Sequence, residues 1–205
     1  MNNPFPRSFY FQDVQKIARQ LLGHLFVKIQ SDGSRLSGRI VEVEAYAHNE
    51  DPASHSYRGK TLRNAVMFES GGHLYVYFTY GMHYCCNIVT GPEGEGNAIL
   101  IRALEPLEGK NIMAYKRFGK DTLSAKEYSN LTNGPAKLCK AMGIDREANG
   151  LDLCGSTCWI EKGKEISDPQ IACSSRVGIH RAVSLPWRYY LKDCKWVSKA
   201  RIHHE

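Results

Sequence analysis

Apolar residues recur at helical spacing in Val14, Ile17, Ala18, Leu21 and Leu22, with Asp13 just before them. This predicts a helix capped by the Asp13 side chain and stopped by Gly23, a residue suited to the left-handed position past a helix end. The pattern then changes to strand type. Strands are expected over residues 24–30 and 38–47, joined by a Ser31-Asp32-Gly33 turn. Residues 74–80 and 83–89 read as a hairpin turning at Gly81-Met82, and a further strand over 98–104 follows a glycine-rich turn at 91–96. Residues 49–70 are polar and irregular, which is long for a passive connection. Helices are expected over 109–117 and over Pro135–Met142, the second with proline in its first turn and Gly143 beyond its end. Residues 151–196 mix short strands and loops. With no repeat, low-complexity linker or composition break, the expectation is one α+β domain over 1–205. Its sheet should be curved and mostly antiparallel, open like part of a barrel and flanked by helices, with disordered tails at 1–10 and 202–205.

Alternation along the second strand puts Ile40, Glu42, Glu44 and Tyr46 on one face and Val41, Val43 and Ala45 on the other. A carboxylate two residues from a tyrosine on one face fits a site where a carboxylate works beside a flat, stacked substrate. Alternating strands often leave one face in water, and spacing alone favours that place for Glu42 and Glu44, paired with cations. Tyr75 and Tyr77 fit as ordinary sheet residues. Tyr80, beside Gly81 at the hairpin tip, buries little within its own chain and fits a wedge between bases or a stacking platform. Arg102 falls inside an apolar strand, so it needs a carboxylate or a bound polar group.

Composition narrows the class. The chain has 205 residues, 42% hydrophobic and 23% charged, enough for one sizeable core and too apolar for wholesale disorder. No apolar run nears the roughly 20 residues a membrane span needs. No charged segment followed by an apolar stretch opens the sequence, so secretion is not expected. Seven cysteines, an odd number, argue for reduced thiols. Cys154 and Cys158 lack the second pair that zinc spacing requires, so neither a metal nor another cofactor is expected. The expected setting is a bacterial cytoplasm or a eukaryotic nucleus, and the expected state is a monomer.

Charge then points to a partner. The net charge is +6, and residues 176–201 hold seven cations and one acid. That leaves 20 of the 27 Lys and Arg against 20 of the 21 Asp and Glu elsewhere, so the segment carries the whole excess. A basic strip beside a neutral body fits either a polyanion partner or a solvated surface.

In order along the chain stand Val43-Glu44-Ala45-Tyr46, His55-Ser56, Arg63-Asn64, Leu74-Tyr75-Val76-Tyr77 and Tyr80-Gly81-Met82. They are followed by Asn87, Arg102-Ala103-Leu104-Glu105-Pro106, Gly134-Pro135-Ala136-Lys137-Leu138 and Arg176-Val177-Gly178. This ordered set resembles the alkyladenine (3-methyladenine) DNA glycosylase family. The resemblance implies hydrolysis of the N-glycosidic bond of a damaged purine flipped out of double-stranded DNA, and it lifts Glu44 from the solvated face to the role of general base. It implies that Arg102 and the Val177 main-chain carbonyl hold the attacking water. Tyr46, His55 and Tyr77 match walls that stack on the base, and the His55 amide matches a donor to its edge. Asn87 matches a residue that crowds the exocyclic amine of guanine, and Tyr80 one that fills the gap in the duplex. Arg58, Lys60, Arg63, Lys192, Lys195 and Lys199 are then the expected backbone contacts.

Rival readings are weaker. His48-Asn49-Glu50 has the H-x-E form of a zinc deaminase without the P-C-x-x-C that must accompany it. A sugar hydrolase using Glu42 and Glu44 leaves Tyr80 and the basic strip unexplained. The remaining alternative, a structure-specific nucleic-acid-binding protein without catalysis, leaves Glu44 and Arg102 without a role.

Overall fold

A computed structural model of the chain describes residues 4–199. Asp13 caps α1 (Val14–Leu21) as expected, its Oδ1 accepting from the Gln15 and Lys16 amides at 3.0 and 2.9 Å. Val14, Ile17, Ala18 and Leu21 are the buried stripe of this helix, and Gly23 follows at φ +88°. The strands are β1 (Leu25–Ile29), β2 (Arg35–Tyr46), β3 (Leu74–Thr79), β4 (His83–Thr90) and β5 (Asn97–Glu108). Three helices, α2 (Lys110–Phe118), α3 (Ala125–Ser129) and α4 (Pro135–Met142), precede β6 (Cys158–Glu161), β7 (Ile171–Ser174) and β8 (Arg188–Leu191).

All eight strands join one curved sheet, and every pairing is antiparallel. Its order is β3-β4-β5-β2-β1-β6, with β8 joining β2 and β7 joining β8. β2 is therefore central. β5 lies along one edge; on the other, β1 pairs with Arg35 to Arg39 and β8 with Glu42 to Glu44. One face of β2 (Val41, Val43, Ala45) enters the main core, with α1 packed on β2 and α4 on the neighbouring β4 and β5, so this is the single α+β domain expected.

Four expectations need correction. The segment expected as a disordered tail at 1–10 is docked from Pro4 onward: Pro4 bridges Glu161, the Phe5 amide donates to the Ile160 carbonyl at 3.1 Å, and Tyr10 is fully buried. The tail expected at 202–205 lies outside the described residues. The α3 helix was not expected, although its capping box, Ser124 with Glu127, is present in the sequence. The hairpin turns one residue earlier than expected: Tyr80 (φ 50°) and Gly81 (φ 68°) are both left-handed, and the Met82 amide closes onto the Thr79 carbonyl at 3.3 Å. Finally, the second face of β2 is not in the water that spacing alone favours; the resemblance already takes Glu44 out of it, so Glu42 is the residue whose expected place changes. Glu42 and Glu44 have no exposed surface at all, because residues brought in by β5, β8 and the loops around them cover that face.

Candidate active site

Strand register builds the floor of the site. Glu44 lies opposite Leu100, Leu100 opposite Asn87, and Asn87 opposite Tyr75, a single row across four strands. Tyr46 opposite Ala98 and Tyr77 opposite Cys85 flank that row on the same face. Above it opens a cavity of about 550 Å³, lined among others by Tyr46, His55, Tyr77, Asn87, Arg102 and Val177. Tyr80 reaches its rim while 85% exposed.

Glu44 lies directly behind this lining. Its Oε1 accepts from the Val177 amide at 2.7 Å and stands 3.2 Å from Arg102 Nη1, and its Oε2 accepts from the Tyr46 hydroxyl at 2.8 Å. Burial and then the neighbouring Glu44 carboxylate push the Tyr46 phenol well above its ordinary pKa, so Tyr46 stays a donor. Burial works against the Arg102 charge, but Glu44 and Glu42 outweigh it and hold the guanidinium protonated. Behind Arg102 sits Glu42, which accepts from Arg102 Nε (2.9 Å), Arg188 Nε (2.7 Å), Ser198 Oγ (2.8 Å) and the Ser198 amide (2.6 Å). Burial alone would raise the Glu42 pKa; Arg102, Arg188 and the Ser198 amide reverse it and hold the carboxyl below its usual range. Two carboxylates and two guanidiniums thus form a buried cluster without net charge, the condition under which burial of ions is tolerated.

The walls come from loops pinned at named points. Asn64 Nδ2 donates to the His55 and Gly59 carbonyls at 2.9 and 3.1 Å, which fixes the turn that carries His55. The His55 ring packs edge-on to Tyr77 at 4.6 Å and its Nδ1 lies 3.1 Å from the Tyr75 hydroxyl. Burial and then Arg63 lower the His55 pKa, so the ring is neutral at pH 7. Burial raises the Tyr75 phenol to about 12 and the Cys85 thiol to about 11, so neither ionises near neutrality. Asn87 Nδ2 donates to the Tyr75 carbonyl at 3.2 Å, which sets the direction of its amide.

On the opposite side the Arg176 side chain is fully buried. It forms a two-pronged pair with Asp51, donates to the Ala45 carbonyl at 2.9 Å, and stacks on Tyr46 with its guanidinium carbon 4.6 Å from the ring centre. The next residue, Val177, is the one whose amide meets Glu44, so this pair anchors the loop that closes the site.

The expected pocket residues therefore meet at one place, with Glu44 just behind the lining. The expected phosphate contacts divide. Arg63 lines the cavity, and Arg58 and Lys60 are exposed on the loop beside His55. Lys192 and Lys195 instead border a separate cleft with Arg39 and Glu105, and Lys199 is exposed elsewhere. Arg39 precedes Glu44 by five strand residues, roughly 16 Å along β2. The basic strip is not a continuous surface either, since Arg176 and Arg188 point inward as ion-pair partners. Sequence reasoning missed Asp51, Arg176, Arg188 and Ser198 as parts of the site, and His180 and Arg181 on the cavity wall. Among the described residues no group of three His, Cys, Asp or Glu is placed to hold a metal ion, and no helix is long and apolar enough to cross a membrane.

Comparison with known proteins bears on this geometry. The profile of the Methylpurine-DNA glycosylase family matches residues 8–195. A protein of Carboxydothermus hydrogenoformans, provisionally named a 3-methyladenine DNA glycosylase, is 50% identical over 95% of this chain and 98% of its own. Similarly named proteins of Desulfitobacterium hafniense and Chlorobium luteolum are 47% and 45% identical, over 94% and 95% of this chain and 97% and 96% of theirs.

Proposed function

Because the chain belongs to the methylpurine-DNA glycosylase family, we propose that it is an N-glycosyl hydrolase that removes damaged purines from double-stranded DNA and leaves abasic sites. The substrate class is 3-methyladenine, 7-methylguanine, hypoxanthine and ethenoadenine. The observation that carries this reading is a wholly buried carboxylate, Glu44, set behind an aromatic cavity with an exposed tyrosine at its rim.

A stacked nucleotide hides C1′, so the target base is flipped out at a cost of a few kcal/mol. Tyr80 fills the space left behind, and stacking offsets part of that cost. The extruded purine lies against Tyr46, His55 and Tyr77. A purine methylated at N3 or N7 is cationic, which favours stacking on electron-rich phenol faces. Asn87, its amide already fixed by the Tyr75 carbonyl, crowds the exocyclic amine of undamaged guanine.

At the sugar, water oxygen bonds to C1′ as the C1′–N bond breaks. The bonding pair leaves with the purine, and the proton released by water goes to Glu44. Positive charge developing on the sugar is stabilised by the same carboxylate. Arg102 and the Val177 amide hold that carboxylate in place. A cationic purine leaves without further help, whereas hypoxanthine needs a proton. Water as nucleophile implies no lyase step.

The test offers metal-free duplexes bearing one hypoxanthine, one ethenoadenine or one methylated purine and scores alkali-sensitive strand breaks. Base release on at least one lesion is expected. Lesion binding with no abasic product on any of them sinks the enzyme reading in favour of a binding protein.

A further inference from the structure

We propose that Glu42 is a positioning residue for base excision: it grips Arg102 from behind and so keeps the Glu44 carboxylate available to water. The proposal rests on the glycosylase reading of the site and adds a residue to it.

The sheet itself prepares the arrangement. Register between β2 and β5 shifts on either side of Glu42: Ile40 faces Leu104, Glu42 faces Ala103, and Val43 faces Ile101. Val41 is the extra residue on one strand and Arg102 the extra residue on the other. Such bulges re-aim side chains, and here the unpaired Arg102 lies between the two carboxylates.

Glu42 and Glu44 then hold Arg102 differently. Glu42 takes the Nε edge at 2.9 Å in a well-formed hydrogen bond, whereas Glu44 is met by Nη1 alone, at 3.2 Å. A guanidinium facing a single buried carboxylate tends to close on it as a two-pronged fork that engages both oxygens. With Nε committed to Glu42 and Nη2 turned to Ser198 Oγ at 3.5 Å, neither the side-on nor the end-on fork closes on Glu44. Glu44 then keeps acceptor capacity on Oε2: a carboxylate has about four lone-pair sites, and Oε1 meets the Val177 amide and Arg102 whereas Oε2 meets the Tyr46 hydroxyl alone.

Glu42 is in turn held by groups that take no part in the proposed chemistry. Arg188 and both donors of Ser198 saturate it at 2.6–2.8 Å. Ser198 lies beyond the 8–195 range that the family profile matches, so it is part of this site that the family comparison does not cover.

The test compares wild type, Glu42→Gln and the charge-balanced Glu42→Gln/Arg188→Gln pair. Three quantities are read: melting temperature, affinity for a lesion duplex, and single-turnover excision rate. Glu42→Gln leaves an uncompensated buried cation and should melt lower, whereas the double variant restores neutrality and should recover most of the stability. Excision by the double variant should stay at least tenfold below wild type with affinity within threefold. Recovery of excision together with stability would show a purely structural role and overturn the proposal, as would loss of lesion binding in the folded double variant. Should the double variant not fold, Ser198→Ala decides. It removes one donor to Glu42, so a fall of about threefold or more in rate at unchanged affinity supports the role, and a wild-type rate overturns it. Absence of base release by wild type would overturn the glycosylase reading and this proposal with it, whereas wild-type release with wild-type rates in the variants would overturn this proposal alone.

Discussion

The Val177 amide stands 2.7 Å from Glu44 Oε1, joining residues 133 positions apart. Arg176, immediately before it, is fastened to Asp51 and to the Ala45 carbonyl, so the loop that reaches Glu44 is tied to the same strand at two points. One loop thus both covers the carboxylate and orients it.

Glu44→Gln should abolish excision while retaining lesion binding. The amide can keep an oxygen toward the Val177 N–H and turn its nitrogen to the Tyr46 hydroxyl, but it cannot take a proton from water. A loss of about 10²–10⁴-fold in single-turnover rate is expected from removing a general base. Wild-type turnover in this variant would show that another group activates the water.

Tyr80→Ala should weaken affinity for a lesion duplex by about 1–3 kcal/mol, the usual worth of one stacked base. Its melting temperature should not fall, because the side chain is 85% exposed and its left-handed backbone carries strain that alanine does not increase. Fluorescence anisotropy with calorimetry separates the two effects; unchanged affinity contradicts the wedge role.

Neutralising Arg58 and Lys60 should lower the slope of log affinity against log salt by roughly 1.8, about 0.9 for each phosphate that is no longer neutralised. Replacing Lys192 and Lys195 by Gln should leave that slope unchanged, since those residues border the cleft beside Arg39. The reverse result would move the DNA track to the other end of β2.

Between pH 7 and 5 the protein should lose stability, and His24 should account for part of the loss. His24 is buried, its Nδ1 accepts from the Gly163 amide at 3.0 Å, and burial lowers its pKa from 6.5. The unfolded chain therefore binds more protons in this window, so the stabilisation is whole above about pH 6.5 and falls as pH drops toward the lowered folded value. His24→Asn keeps an acceptor and removes the titration, so its melting temperature should vary less steeply with pH. An equally steep decline would assign the effect elsewhere, with His55, shifted in the same direction, as the next group to replace.

Local chemistry made much of the framework legible. The period of α1 with its Asp13 cap, the Pro135 start of α4 and the strand alternation all survive in the structure, because each depends on neighbours within a few residues. Spacing singles out Glu44 with Tyr46, Tyr80 and Arg102, whereas His55, Tyr77, Asn87 and Val177 enter through resemblance alone. What sequence could not show was which face of β2 is covered. Alternation sorts Glu42 and Glu44 onto one side, but the groups that cover them come from far along the chain: Arg188 and Ser198 stand 146 and 156 positions from Glu42, and Val177 stands 133 from Glu44. The same distance effect defeated the reading of the basic strip: a linear count cannot tell that Arg176 and Arg188 turn inward while Lys192 and Lys195 do not.

The wide spacing of the partners around β2 also has a bearing on synthesis. A ribosome that has reached Cys173 has delivered the floor of the pocket and the hairpin, yet Glu44 then lacks its Val177 amide, and Glu42 lacks both Arg188 and Ser198. Until those residues emerge, two carboxylates stand on β2 with Arg102 as their one cation of the buried cluster. Nascent or prematurely terminated copies therefore hold an unfinished carboxylate cluster, and on the proposed reading of the site excision should await the residues through Ser198.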